Sequence, residues 1–233
     1  MRPEELAKTL DHTVLGDSVS EEDVVQAVEE ARESHLAAVL TTPNHTPVVA
    51  EMLRGYDVKA AAAIGLADNG LQGQDKADAA VAAVADGAVE LEVLMDTECM
   101  LRGDVLVARD DIVRVVRSVR GSGANAGRAD VIVKVVLESH KLGEKMTRLA
   151  CKIVADAGDD FAQTCLGTDP APAVREVEMM RDALPEAVAV SAAGVFDTPE
   201  GVIEMIGAGA ARVGTTNPHD LLRQLAEANA AAQ

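Results

Sequence analysis

Hydrophobic and polar positions along the chain alternate between two kinds of pattern. Short apolar runs rich in Ala, Val, Ile and Leu are each followed by a segment with helical spacing, from end to end without a linker. This pattern predicts strands near residues 8–11, 36–42, 58–65, 89–96, 130–138, 160–166, 187–192 and 211–215. It predicts helices near residues 20–34, 46–54, 74–86, 108–120, 143–157, 172–184, 199–207 and 218–231. Ser20 and Thr198 are suited to cap the helices that follow them.

Eight strand–helix units in 233 residues favour one architecture. They predict a single-domain α/β fold over residues 1–233, a closed (β/α)8 TIM barrel, with a doubly wound open sheet as the alternative. Active sites of such barrels lie at the carboxyl ends of the strands. Those ends are therefore where candidate chemistry is expected.

Composition and charge narrow the possible partners. The chain has 48% hydrophobic but only 1% aromatic residues, so small aliphatic side chains must fill the core. Its formal net charge of −18 disfavours nucleic acid and anionic membranes as partners, and suits a solvated surface in a high-salt cytoplasm. Three cysteines without metal-ligand spacing, and no apolar leader at the N-terminus, predict a cytoplasmic protein. No His/Asp/Glu spacing predicts a metal site, and no cofactor is expected.

One strand carries a charge in an apolar run. Lys134 lies within the valine-rich segment 130–138, and Glu138 follows four positions later. Side chains alternate between the two faces of a strand, so the two residues are predicted to share the inner face of the barrel.

The polar strand ends form an ordered series of motifs: DHTVL (11–15), ELEVLMD (90–96), KVVLES (134–139), DFAQTCLG (160–167), VAVSAAGV (188–195) and GAARVGTTN (209–217). In this order they resemble the deoxyribose-phosphate aldolases from about residue 6 to about residue 217. The resemblance implies a TIM barrel and a lyase that splits a phosphorylated deoxysugar into acetaldehyde and glyceraldehyde 3-phosphate.

The resemblance also implies a mechanism that this chain does not fully carry. In the family a sixth-strand lysine forms a Schiff base, a seventh-strand lysine lowers its pKa, and a fourth-strand aspartate relays protons. The matching positions here are Gln163, Val190 and Glu92. An amide forms no imine and valine carries no charge. The family's fifth-strand lysine is retained as Lys134, and the expected catalytic residues are Lys134, Glu92, Glu138 and Asp11.

The phosphate-binding positions implied by the resemblance are better retained. They match Gly167, Gly194, Gly214, Thr215 and Thr216, followed by a helix beginning near Pro218. Glycine lets backbone N–H groups approach an anion closely, and a helix N-terminus favours negative charge. Two departures are Ala193, where the family has glycine, and the LADNG segment (66–70), where it has a phenylalanine-proline turn.

Several alternatives remain open at this point. Lys134 is either a catalytic residue or a structural charge paired with Glu138 or Glu92, and Asp11 and His12 can hold the structure or move protons. Cys165 is favoured as a small residue lining the mouth over a nucleophile.

The chain itself has three possible functions. It is a lyase in which Lys134 is the nucleophile, an inactive sugar-phosphate-binding paralogue, or an acid–base isomerase using Glu92, Asp96 and Glu138. The paralogue would act as a sensor or as the partner subunit of an active homologue. The expected assembly is a homodimer or such a hetero-oligomer.

Overall fold

The computed structural model describes residues 1–65, 72–125 and 131–231, without the side chains of 122–125. Its strands are β1 (Leu10–Thr13), β2 (Ala38–Thr41), β3 (Lys59–Ile64), β4 (Glu90–Leu94), β5 (Ile132–Val136), β6 (Phe161–Gln163), β7 (Ala189–Ala193) and β8 (Ala210–Thr215). Its helices are α1 (Pro3–Ala7), α2 (Glu21–Glu33), α3 (Thr46–Met52), α4 (Gly73–Ala85), α5 (Thr97–Arg102), α6 (Val105–Asn125), α7 (Ser139–Ala157), α8 (Val174–Ala183), α9 (Pro199–Gly207) and α10 (Pro218–Ala231). A short 3-10 helix, Pro43–His45, precedes α3.

The eight strands form one closed parallel barrel in chain order. β8 pairs with β1, where Asp11 lies opposite Gly214, and this pairing closes the sheet. The predicted single (β/α)8 TIM barrel is confirmed, and the open-sheet alternative is wrong. All eight predicted strands are present, each within a few residues of its expected position.

The helices show what the sequence pattern detects and what it misses. Ser20 and Thr198 accept hydrogen bonds from the Asp23 and Gly201 amides, as expected of N-caps. The short helices α1 and α5 were not predicted, because five or six residues are too few to show helical spacing. α7 begins at Ser139 and is interrupted at Gly143, whose φ of 68° breaks the helical path.

Two layers of packing surround the sheet. Between the strands and the helices lies an aliphatic layer of Val, Leu, Ile, Met and many alanines, which lets the helices approach the barrel closely. Inside the barrel, β2 and β3 contribute three alanines and one leucine: Ala38, Leu40, Ala61 and Ala63. The alanines leave room in the barrel interior for longer side chains from the other strands.

Within the described residues, no helix is long and apolar enough to cross a membrane.

Candidate active site

The barrel interior holds five charged side chains, which we call the inner charge cluster. They come from four strands and are Asp11, Glu90, Glu92, Lys134 and Arg212. Strand register places them together, since Glu92 lies beside Lys134 across β4 and β5 and paired residues of parallel strands point to the same side. Asp11 and Arg212 reach the same place because β8 closes onto β1.

Lys134 is the centre of this cluster. Its Nζ lies 2.7 Å from Asp11 Oδ2, 2.9 Å from Glu90 Oε2 and 3.9 Å from Glu92 Oε1. The lysine side chain is 0% exposed and its carboxylate partners are 1% exposed. Charges this deep are tolerated only when they are paired and hydrogen-bonded.

Arg212 completes the ion-pair network from β8. Its Nε lies 3.0 Å from Asp11 Oδ1, and its guanidinium also contacts Glu90, with Nη1 3.3 Å from Oε1. Asp11 and Glu90 are therefore each shared between an ammonium and a guanidinium group. A movement of the Lys134 ammonium away from either carboxylate would therefore also change the ion pairs of Arg212.

The network fixes the charge state of Lys134. Burial disfavours the ammonium form, but the negative charges of Asp11 and Glu90 outweigh it and raise the pKa of Lys134 above its ordinary value. For Asp11, burial is likewise outweighed, by Arg212 and Lys134, so the pKa of that carboxyl is lowered. Lys134 is thus protonated at neutral pH, and a protonated amine does not attack a carbonyl.

The pKa of Glu92 shifts in the direction opposite to that of Asp11. Burial, with the nearby charges of Asp11 and Glu90, raises its pKa to about 7, although Lys134 and the Gln163 amide act in the opposite direction. Three carboxyl groups face two cations here, so one proton on Glu92 balances the cluster. Glu92 is the inner group best suited to gain and lose a proton near neutral pH.

The expected pairing of Lys134 with Glu138 is wrong. β5 ends at Val136, and Glu138 has a left-handed backbone (φ 49°, ψ 50°) that breaks the strand alternation. Its carboxylate instead accepts a hydrogen bond from Thr97 Oγ1 at 2.7 Å and pairs with Lys141. Glu138 therefore lies at the mouth, apart from the inner charge cluster.

Gln163, at the family's Schiff-base position, does face the barrel interior. Its Nε2 donates to Glu92 Oε2 at 2.7 Å and to the Cys165 carbonyl at 3.0 Å. The side chain is fully buried, and its Oε1 has no hydrogen-bond partner within the described part of the chain. The sixth strand thus offers an amide where the resembled enzymes have an amine.

On the seventh strand the inward position is Ser191, not Val190, so the prediction for Val190 is wrong. Ser191 pairs with Gln163 across β6 and β7 and shares its face, whereas Val190 pairs with Ala162 and packs in the outer aliphatic layer. The pairing of β6 with β7 is regular from Ala189 to Ser191, so strand alternation places Val190 on the outer face and Ser191 on the inner face. The conclusion that no lysine stands there is unchanged.

The predicted phosphate-binding glycines meet at the ends of β6, β7 and β8. A Cβ on Gly167 would lie 2.1 Å from Thr13 Oγ1, and one on Gly194 would lie 2.6 Å from Ala171 Cα. Only glycine fits at these two positions, because Gly167 packs against Thr13 of β1 and Gly194 packs against the loop after β6, which crosses the end of β7. The Gly194 N–H donates to the Gly214 carbonyl at 2.9 Å, so this amide is engaged within the sheet.

The threonines after β8 occupy two different environments. Thr215 is buried, and its hydroxyl bonds Asn217 Oδ1 at 2.8 Å, whereas Thr216 is exposed at the start of the turn into α10. Residues 66–70 (LADNG), the other expected departure near this mouth, lie outside the described residues.

His12 and Cys165 are placed away from catalytic roles. His12 faces outward, with its ring centroid 6.3 Å from that of His219, and burial together with His219 lowers its pKa to about 4. The Cys165 Sγ lies 2.7 Å from the Ala193 carbonyl, and burial raises its pKa to about 12. A thiol held as a neutral donor is a poor nucleophile, which agrees with the expected mouth-lining role.

Two members of the inner charge cluster were not predicted as site residues. Glu90 lies two positions before Glu92 and Arg212 two positions before Gly214, so strand alternation places each on the inner face. That alternation was the available signal. Within the described ranges no group of three or more His, Cys, Asp or Glu side chains is arranged to hold a metal ion.

Comparison with known proteins finds relatives over nearly the whole chain. A deoxyribose-phosphate aldolase of Aciduliprofundum boonei is 34% identical over 226 residues, which cover 97% of this chain and 99% of the relative. One of Caldanaerobacter subterraneus subsp. tengcongensis is 33% identical over 212 residues, or 91% of this chain and 89% of the relative. No family model matches the chain.

Solved structures show the same barrel. A putative deoxyribose-phosphate aldolase from Coccidioides immitis superposes with a TM-score of 0.84 at 26% identity, covering 96% of this chain and 86% of that one. The enzyme from Aeropyrum pernix, described as a unique tetramer, gives a TM-score of 0.86 at 24% identity, covering 97% and 93%. The latter likeness supports the fold alone.

Proposed function

The chain belongs to the deoxyribose-phosphate aldolase family, and on that premise we propose that it takes a phosphorylated deoxysugar as its ligand and forms no lysine imine in its barrel. The proposal has a ligand half, that a phosphorylated deoxysugar binds, and a chemical half, that no imine forms. Membership of the family supports the ligand half. Relatives that bear this name match more than nine-tenths of the chain, and the three strand ends carrying Gly167, Gly194 and Gly214 converge at one mouth.

Phosphate recognition is assigned to the mouth formed by β6, β7 and β8. Thr216 is exposed there, and α10 begins two residues later with its N-terminus at the same end of the barrel. Helix N-termini attract anions through unpaired N–H groups and the helix dipole, which is how a chain of net charge −18 can hold a phosphate. Thr215 helps indirectly by fixing Asn217, whose Nδ2 donates to the Phe196 carbonyl at 2.9 Å.

One observation carries the chemical half: Lys134 is protonated and held by two carboxylates, 2.7 Å from Asp11 and 2.9 Å from Glu90. Imine formation requires a neutral amine and space for the carbonyl carbon beside it. Releasing the proton here would leave two buried carboxylates sharing only Arg212. The other two lysines of the family mechanism are absent, since Gln163 and Ser191 occupy the inward positions.

The function supported best is therefore sugar-phosphate binding within the aldolase lineage, without the Schiff-base route. Such a protein acts as a sensor or as a partner subunit of an active homologue, and the lyase reaction of its relatives is lost or carried by other groups. Lys134 stabilises the barrel interior in this proposal and is no nucleophile.

The test combines binding and trapping on the purified protein. We expect 2-deoxyribose 5-phosphate to raise the Tm, and borohydride with the same ligand to leave the intact mass at that of the 24.3 kDa chain. An adduct mapped to Lys134 overturns the chemical half. No Tm shift at millimolar ligand overturns the ligand half.

A second candidate function rests on Glu92. Its pKa of about 7 and its contact with Gln163 place a proton donor and acceptor inside the barrel, the requirement for an acid–base isomerase acting on a phosphorylated sugar. Neither Asp96 nor Glu138 joins it, because Asp96 caps α5 and Glu138 bonds Thr97. Turnover that persists in borohydride and disappears in Glu92→Gln would favour this function over binding alone.

A further inference from the structure

Two polar atoms inside the barrel have no hydrogen-bond partner among the described residues: Oε1 of Gln163 and Oγ of Ser191. Both side chains are 0% exposed. An unpaired polar group in such a place costs free energy, so it is retained only where something else compensates for it. The proton transfer and ion pairing described above use neither atom.

The two residues are neighbours across the sheet. Gln163 and Ser191 lie opposite each other in the parallel β6–β7 register, so both side chains leave the backbone on the inner face. Within the described chain neither Gln163 Oε1 nor Ser191 Oγ has a hydrogen-bond partner. Adjacent residues on one face thus supply an acceptor and a hydroxyl, each free to bond a ligand.

The orientation of the Gln163 amide is fixed by its other contacts. Its nitrogen bonds the Cys165 carbonyl, which accepts hydrogen bonds and cannot donate them, so the two ends of the amide cannot be exchanged. The free atom is therefore a carbonyl oxygen that accepts a hydrogen bond. The Ser191 hydroxyl can donate to the same ligand atom.

We infer that the Gln163 amide oxygen and the Ser191 hydroxyl together bind one hydroxyl group of the sugar, which donates to Gln163 and accepts from Ser191. They hold it noncovalently at the two strand positions where resembled enzymes carry lysines. This rests on the proposed function, because it names which part of the phosphorylated sugar reaches the barrel interior. Both residues are binding and positioning groups, and no covalent step is involved.

The experiment measures two quantities on each variant: Tm without ligand, and Kd for 2-deoxyribose 5-phosphate by calorimetry. Ser191→Ala removes a hydroxyl that has no hydrogen-bond partner among the described residues, so its Tm should equal or exceed that of wild type. Its Kd should rise about tenfold, the usual effect of one lost neutral hydrogen bond. Gln163→Met should raise the Kd by a similar factor while preserving side-chain volume.

A matched control separates ligand binding from folding. Ser139 is equally buried, but its hydroxyl already donates to the Thr164 carbonyl at 3.0 Å. Ser139→Ala should lower the Tm and leave the Kd unchanged, the reverse of Ser191→Ala. Inorganic phosphate, which lacks the sugar, should bind all three variants and wild type alike.

The outcomes distinguish the inference from the proposed function. Wild type that binds the sugar phosphate while Ser191→Ala and Gln163→Met bind it equally well overturns the inference alone. In that case the two atoms hold only a buried water, and the ligand stays at the mouth. Wild type that binds no sugar phosphate overturns both.

Discussion

Lys134 on β5 and Asp11 on β1 meet inside the barrel, with Nζ 2.7 Å from Oδ2 and both side chains withdrawn from solvent. They are 123 residues apart in the sequence. Because the barrel is closed, this ion pair ties the first strand to the fifth across its interior. This arrangement has consequences for the free energy of unfolding, for its pH dependence and for the ability of introduced lysines to form an imine.

Removing the ammonium group should destabilise the fold. Lys134→Met leaves Asp11 and Glu90 with Arg212 as their only cation in a buried site, and breaking a buried pair in this way typically costs about 3–5 kcal/mol. Lys141→Met, which breaks a pair whose lysine is half exposed, is the control and should cost under about 1 kcal/mol. Urea unfolding of the two variants measures the difference. Equal losses would show that the pairing of Lys134 contributes no more than a surface pair.

Stability should fall with rising pH because of Glu92. Its pKa is raised from 4.5 to about 7 in the folded chain, so the folded state holds a proton that the unfolded state has released. The contribution is complete below about pH 4.5 and is lost as pH rises through about 7, amounting to about 3 kcal/mol. Glu92→Gln has no such proton to lose. It should therefore gain about that much stability relative to wild type between pH 4 and pH 8, whereas parallel curves would contradict the assignment.

A second buried acid, two residues before β6, offers an independent pH test. Asp159 is 4% exposed with both carboxylate oxygens unpartnered among the described residues, and burial together with Asp160 raises its pKa to about 8. As a raised acid it stabilises below about pH 4 and loses that contribution as pH rises through about 8. Asp159→Asn should accordingly gain Tm relative to wild type as the pH is raised from about 4 to 9, with the largest difference at pH 9.

The neighbouring residue is the matched control for that substitution. Asp160 accepts from Arg120 Nη2 at 2.8 Å and from the Val133 amide at 2.7 Å, so Asp160→Asn should lower the Tm across the same pH range. If both variants lower the Tm at pH 9, the Asp159 carboxylate has a hydrogen-bond or ion-pair partner, and the expectation for Asp159 is wrong.

Lysines introduced on β6 and β7 should form an imine only if the β7 lysine is at Ser191, which faces the barrel interior. Gln163→Lys combined with Ser191→Lys places two amines side by side in the barrel, each able to lower the pKa of the other. We expect this variant to give a borohydride-trapped adduct with 2-deoxyribose 5-phosphate. Gln163→Lys with Val190→Lys should give none and should lower the Tm, since Val190 is 0% exposed in the outer layer. An adduct from the variant with Gln163→Lys and Val190→Lys would show that Val190, and not Ser191, faces the barrel interior.

The sequence predicts the barrel because each strand is an apolar run and each helix has its own spacing. It also predicts that Lys134 faces inward, since alternation within one strand is a local property. The partners of Lys134 are not local: Asp11 and Arg212 come from the strands whose pairing closes the barrel. Only closure brings them to Lys134. Asp11 is expected in the site from the family resemblance, but Arg212 is not expected there.

Two further errors concern features that sequence spacing does not reveal. Glu138 leaves the inner face because β5 stops at Val136 and the chain then adopts a left-handed residue. Ser191 faces inward instead of Val190 because Ser191 pairs with Gln163 across β6 and β7. Alternation along one strand allows two opposite assignments of its faces, and only the pairing with a neighbouring strand decides between them.

The loop that crosses the end of β7 also bears on how a sugar would reach the groups inferred to bind it. Asp169 accepts from the Val195 amide at 2.8 Å and Ala171 lies against Gly194, while Gln163 and Ser191 have no solvent exposure. If a sugar hydroxyl binds these two groups as inferred above, it must enter through the fraction of molecules in which they are exposed. The observed association rate should then level off as ligand concentration rises, at a ceiling equal to the opening rate of the protein itself.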